Sequence, residues 1–135
     1  MTPTYTDTVR FSDTDQMGHV NNSRFLVFLE DARLVFFNAL MPGGFTGRGL
    51  IVARIEIDYV RPMVYGAGEV EVDVWVDSLG NRSFTLGYRI RQGGELSARA
   101  RSVMVGYDYG TGQSRPMEPE ERAALHESLL ISPPG

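Results

Sequence analysis

The sequence predicts an α+β fold in which one antiparallel β-sheet wraps a single long central helix. Three observations carry that reading. From Ser23 to Leu40 there is no Gly or Pro, and apolar side chains occupy Phe25 to Leu29, Ala32, Leu34 to Phe37, Ala39 and Leu40. That run is too long for a strand and too poor in polar positions for a broad wet face, so it reads as a helix buried on most sides. From Leu50 on, apolar residues recur at every second position, the period of strands with one wet and one buried face. The strands are joined by short connections, two of which hold the Gly or Asn that hairpin turns require.

In chain order, Tyr5 to Phe11 reads as a first strand. Asn21 and Asn22 are cap residues for the helix, and Met41-Pro42-Gly43-Gly44 ends it. Met41 to Gly49 is a loop. Apolar residues take the odd positions in Ile55 to Tyr59 and the even ones in Glu69 to Asp77. A further strand begins at Arg82, with Phe84, Leu86, Tyr88 and Ile90 inward. In Glu95 to Tyr109 the apolar residues move from even to odd positions, which predicts a bulge near Arg101 or Ser102. The connections Tyr65 to Gly68, Leu79 to Asn81 and Gln92 to Gly94 predict that consecutive strands pair as a meander. Pro119 to Leu130 reads as an amphipathic helix with Pro in its first turn, and Pro133-Pro134-Gly135 as a frayed tail. A sheet of this kind keeps free edges, so a homodimer or homotetramer is expected.

The 135 residues suit one domain spanning 1–135. There is no cysteine, which excludes disulfides, thiolate nucleophiles and Cys-ligated zinc and fits a cytoplasmic location. All 13 cationic side chains are Arg and the net charge is −4, which disfavours a nucleic-acid surface and removes Schiff-base chemistry. No segment has the pattern of an export signal or a membrane span.

Chemistry concentrates before the helix. Asp13, Asp15, His19, Asn21 and Asn22 crowd together, with Gly18 permitting a tight turn. A carboxylate at a helix start is often only a cap or a dipole partner. In this company Asp15 can instead be a nucleophile or a general base, with the N–H groups of Asn22 and Ser23 as an oxyanion hole. The calcium-loop reading of Asp13 to Gly18 fails, because Met17 and Arg24 stand where oxygen ligands belong. With two histidines, His19 and His126, a zinc site is poorly supplied. No serine nucleophile motif or dinucleotide fingerprint is present, so neither metal nor cofactor is expected. Arg82, beside a turn and next to Ser83, is by default a solvated charge and otherwise a phosphate contact.

The stretch Phe11-Ser12-Asp13-Thr14-Asp15-Gln16-Met17-Gly18-His19-Val20-Asn21-Asn22, followed by Phe25, Leu29, Glu30 and Arg33, closely resembles the signature of hotdog-fold acyl-CoA thioesterases of the 4-hydroxybenzoyl-CoA thioesterase type. Its His-Val-Asn-Asn variant is also similar to acyl-ACP thioesterases. Ile57 to Pro62 and Leu79 to Phe84 resemble the family's second strand and the turn before its fourth. The resemblance implies a hotdog fold and hydrolysis of an acyl-CoA or acyl-carrier-protein thioester. It makes Asp15 the catalytic carboxylate, attacking the carbonyl or activating water, with the Asn22 backbone N–H at the oxyanion. His19, Asn21, Ser23, Arg82 and Ser83 become substrate-binding residues, the last two toward the phosphates or pantetheine arm of CoA. CoA is then part of the substrate and not a cofactor. His19 and the Asn pair replace apolar and aromatic residues of the aryl-CoA branch.

Two other readings compete. A hotdog hydratase or dehydratase would use Asp15 and His19 as a carboxylate–imidazole pair. A non-catalytic module would bind an acyl thioester or a partner protein, in keeping with the small cationic complement.

Overall fold

The computed structural model describes residues 4–41, 45 and 49–129. Helix α1 spans Asn22–Leu40. Asn21 caps it, its side-chain oxygen accepting the Ser23 N–H at 2.9 Å and so meeting one of the N–H groups that lack an intrahelical partner. At the other end Met41 turns extended while its N–H still reaches the Phe37 carbonyl at 3.1 Å. Residues 42–44, expected to break the helix, lie outside the described residues, as does most of the expected loop to Gly49.

Phe25, Phe28, Leu29, Ala32, Phe36 and Phe37 are buried. By contrast Leu26, Val27, Leu34 and Val35 remain 42%, 45%, 55% and 39% exposed. The helix expected to be buried on most sides is therefore buried on one, because a single sheet covers only one side of a cylinder.

That sheet comprises β1 (Thr4–Thr8), β2 (Leu50–Tyr59), β3 (Glu69–Leu79), β4 (Ser83–Gln92) and β5 (Glu95–Asp108) in the spatial order β1-β3-β4-β5-β2, with β6 (Gln113–Ser114) paired to the end of β5. All pairs are antiparallel. Val70, Val72, Val74 and Val76 of β3 and Phe84, Leu86, Tyr88 and Ile90 of β4 are buried, the faces that period two assigns to them.

Three expectations are corrected. The meander holds for β3, β4 and β5, but β2 lies beside β5 at the far edge, so residues 60–68 must cross the end of the sheet. The buried Gln92 pins that crossing: its amide donates to the Val64 carbonyl at 2.7 Å and accepts the Val64 N–H at 3.0 Å. The bulge of β5 falls at Ser97, where Ile90 pairs Ala98 and Arg91 pairs Leu96, and not at Arg101 or Ser102. Ser102 faces inward because the Tyr88 hydroxyl lies 2.6 Å from it, while the bulged Ser97 carbonyl accepts both Val60 and Arg61 N–H groups. Finally, β1 stops at Thr8 and a 3-10 turn covers Phe11–Asp13, since Asp13 bonds back to Arg10 and turns the chain out of extension. Tyr5 fastens β1 to α1 through Asp31 at 3.3 Å, and burial, with Asp7 and Asp31, pushes its phenol well above the usual range.

Helix α2 covers Pro119–Leu129; the expected end at Leu130 and the tail lie outside the described residues. The helix is locked by Glu121, which has no exposed surface and receives the Arg115 guanidinium on both oxygens at 2.7 and 3.0 Å. Glu121 also accepts the Glu118 N–H at 2.7 Å. Removing one partner strands the other charge, so Glu121→Ala is expected to cost about 3–5 kcal/mol. Urea unfolding checks this, and a loss under about 1 kcal/mol, the ordinary value of an exposed pair, would mean that α2 is held by its apolar contacts alone.

Candidate active site

The residues before α1 form a small hairpin. The Asp15 N–H donates to the His19 carbonyl at 2.9 Å and the Gly18 N–H to the Asp15 carbonyl at 3.0 Å. Gly18 closes the loop at φ +79°, a conformation that other residues adopt only with strain. The Asp15 carboxylate is exposed and one of its oxygens accepts the Met17 N–H at 2.9 Å, leaving the other open to solvent or substrate.

Asp13, two positions away, has a different task. It is 5% exposed, accepts the Arg10 N–H at 2.8 Å and faces the Arg24 guanidinium at 3.8 Å. Its carbonyl accepts the Asn21 N–H at 2.9 Å, tying the turn to the helix cap. The hairpin also leans on the crossing segment, with Val20 N–H on the Met63 carbonyl at 2.8 Å and His19 bridged to Val64.

A cleft of about 200 Å³ opens at the start of α1, lined by His19, Asn22, Phe25, Tyr59, Arg61 and neighbouring backbone. Tyr59 stacks edge-on against Phe25 at 5.0 Å between ring centres and donates to the Asn22 carbonyl at 3.2 Å. Arg61 is paired with Glu95. Both residues belong to the Ile57 to Pro62 stretch, but nothing in its alternation showed that the end of β2 would meet the helix start.

The structure therefore brings together Asp15, His19, Asn21, Asn22 and Ser23. The Asn22 N–H has no hydrogen-bond partner among the described residues and is open to an anion. The Ser23 N–H is not: the Asn21 side chain occupies it, and the Ser23 hydroxyl lies 2.9 Å from the same oxygen. Of the two N–H groups expected at an oxyanion hole, one is spent on the cap. Among the described residues His19 has no ion pair with Asp15, so the carboxylate–imidazole pair of a hydratase is not formed within the chain.

Arg82 and Ser83 lie elsewhere. They start β4, at the end of the sheet where Leu50 pairs Gly106, whereas Asp15 and His19 sit at the Gln92 end. A strand of 10 residues separates the two by roughly 30 Å at 3.3 Å per residue. The Arg82 guanidinium donates to the Ser114 carbonyl at 2.9 Å and is exposed.

Residues 9–125 match the model of the thioesterase-like superfamily. The chain is 32% identical over 105 residues to YneP of Bacillus subtilis (strain 168), whose name marks it as a candidate acyl-CoA thioesterase, covering 74% of this chain and 75% of that protein. The structure of a predicted thioesterase from Bacillus stearothermophilus is 34% identical and superimposes with a TM-score of 0.86 over 98% of both chains. A thioesterase from Thermus thermophilus, solved with coenzyme A and zinc, is 32% identical with a TM-score of 0.85, covering 96% of this chain and 95% of that one. Among the described residues no helix is long and apolar enough to cross a membrane.

The cap makes a separate prediction. Asn21→Ala is expected to destabilise the protein by about 1 kcal/mol and Asn21→Ser to recover most of it. Chemical denaturation of the two variants beside wild type decides whether Asn21 acts through the helix.

Proposed function

The chain belongs to the thioesterase-like superfamily and has its hotdog fold, and from that premise we propose that it hydrolyses acyl-CoA or acyl-carrier-protein thioesters with Asp15 as the reacting carboxylate. The observation that carries this reading is the pairing, across one short hairpin, of an exposed carboxylate with a helix start whose first N–H is free. Acting as general base, Asp15 takes a proton from water as the hydroxide adds to the carbonyl carbon, and the thiolate leaves with that proton. Acting as nucleophile, its oxygen bonds the carbonyl carbon, the C–S bond breaks, and water then cleaves the mixed anhydride. In either course the negative oxygen of the tetrahedral intermediate is received by the Asn22 N–H and the positive end of the helix dipole.

The proposed catalytic unit is a homodimer. β2 is a sheet edge of 10 residues, and an open edge of that length is a template for pairing. Two copies joined antiparallel along β2 place the Leu50 end of one beside the Tyr59 end of the other. Arg82 of a second copy then shares an end of the joint sheet with Asp15, which one chain alone cannot achieve. His19, Asn21, Ser23 and Ser83 complete the proposed substrate contacts, Ser23 through its hydroxyl.

Thiol release from a panel of short, long and aromatic acyl-CoAs tests the first part. Asp15→Asn is expected to lose on the order of 100-fold or more in kcat while keeping the wild-type circular dichroism; retention of full turnover would reject Asp15. For the dimer, Arg82→Ala is expected to raise KM by about tenfold through loss of a charged phosphate contact. Mixing Asp15→Asn and Arg82→Ala subunits then restores sites of wild-type KM if Arg82 acts across the interface, and none if it does not.

A further inference from the structure

A second cavity, of about 310 Å³, runs along the C-terminal half of α1 beside the start of β2. Its walls include Leu34, Phe37, Leu50, Val52 and Met104, and Arg33 also lines it. This is the size and character of a small-ligand site, apolar with a few polar groups. Arg33 is the anomaly. It is 8% exposed, yet among the described residues no carboxylate lies within ion-pair distance of it.

Its one hydrogen bond runs from Nη1 to the Tyr88 hydroxyl at 3.2 Å. That hydroxyl also lies 2.6 Å from the Ser102 hydroxyl. Tyr88 and Ser102 are 1% and 0% exposed, so the guanidinium is held from below by a buried relay. A guanidinium is always charged and carries five N–H donors, of which this relay uses one. Among the described residues its other N–H donors meet no protein acceptor, and they line the cavity, where an entering acceptor can take them.

We infer that Arg33 is the polar end of the acyl pocket and that this protein favours acyl groups whose far end carries a carboxylate. The inference rests on the thioesterase reading and on the dimer joined along β2. In that dimer the cavity, which opens at the Leu50 end of β2, lies beside the helix start of the other copy. An acyl group bound as a thioester near one subunit's Asp15 thus points into the other subunit's cavity, with apolar walls along its length and Arg33 at its end. The carboxylate takes the remaining N–H donors as a forked, charge-assisted pair. The rival occupant is a carboxylate of the second copy; Glu30 lines the same cavity.

The test uses thioether analogues of acyl-CoA, which bind without being hydrolysed, in two matched pairs: hexyl against its ω-carboxylated counterpart, and benzyl against hydroxybenzyl. Calorimetry on the intact protein is expected to show the ω-carboxylated member binding about tenfold or more tighter than its plain partner; a preference confined to the hydroxybenzyl pair overturns the carboxylate assignment. In Arg33→Met that ratio is expected to fall to about one. Arg33→Lys, which keeps the charge without the fork, is expected to fall between the two and serves if the Met variant does not fold. Equal binding within the hexyl pair, or a ratio that survives Arg33→Met, overturns the inference. So does an Arg33→Met variant whose subunits dissociate while the ratio holds, since Arg33 would then be paired across the interface. Turnover lost in Asp15→Asn is a separate measurement: unequal binding with no Asp15 dependence would reject the catalytic assignment and leave the pocket standing.

Discussion

A helix that is apolar around most of its circumference cannot be covered by one sheet, and the rest of the architecture answers to that constraint. The sheet takes the side carrying Phe25, Leu29, Ala32 and Phe36. The exposed Leu34 shares a cavity with Leu50 and Val52 of β2, which is itself a sheet edge. An exposed apolar flank and an open strand edge on the same border of one molecule both call for the same thing, a further apolar surface with strand partners. This is the physical ground for placing a second copy there. Without such a surface the cavity along α1 would remain an open furrow.

Polar groups determine where the reactive end lies. Asp13 and Asp15 are the same residue type two positions apart, and their surroundings divide the labour between them. Asp13 is buried on the Arg10 N–H and beside Arg24, where it fastens the turn. Asp15 projects from the hairpin with one oxygen unspent. The hairpin in turn rests on residues 60–68, which Gln92 holds by their backbone. A reacting group on a loop gains its precision from such fixed supports, and here they lie up to 77 positions away along the chain, from Asp15 to Gln92.

The helix, the four long strands β2 to β5 and the crowding of polar residues before α1 were legible because each is written in local periodicity or in residue type. Period two assigned Phe84, Leu86, Tyr88 and Ile90 to the inner face without any knowledge of their partners. The position of β2 was not legible: its alternation is the same whether it pairs β3 or β5, and only the long crossing decides. The bulge was misplaced for a related reason. Ser102 looked outward by polarity, but an inward serine is satisfied by Tyr88, and that partnership spans 14 positions and two strands. The division between Asp13 and Asp15, and the loss of the Ser23 N–H to the cap, likewise depend on three-dimensional neighbours that composition does not encode. Arg33, one of the few polar residues in the helix run, is buried by the structure.

The outer face of the sheet bears on where a ligand approaches. It carries Arg89, Arg91, Arg99 and Arg101 in a central stripe, which in isolation would suggest a surface for polyanions. The stripe is flanked by Asp73 on β3 and by Glu56 and Asp58 on β2, facing it in register across the pairs, and by Asp77 at the register shift of β3. Arg91 lies 2.7 Å from Asp73 and Arg101 3.3 Å from Asp77, while Arg89 stacks over Trp75 at 5.7 Å. Trp75 lies so close over Gly87 that a Cβ there would stand 2.4 Å from its ring. These cations are largely engaged within their own surface, so the field they present to a distant anion is much reduced. Among the described residues the buried cation without a carboxylate partner is on the other side, at Arg33 beside the cavity. The charge distribution thus directs an anionic ligand to the helix side of the sheet, the side on which the Asn22 N–H is also open.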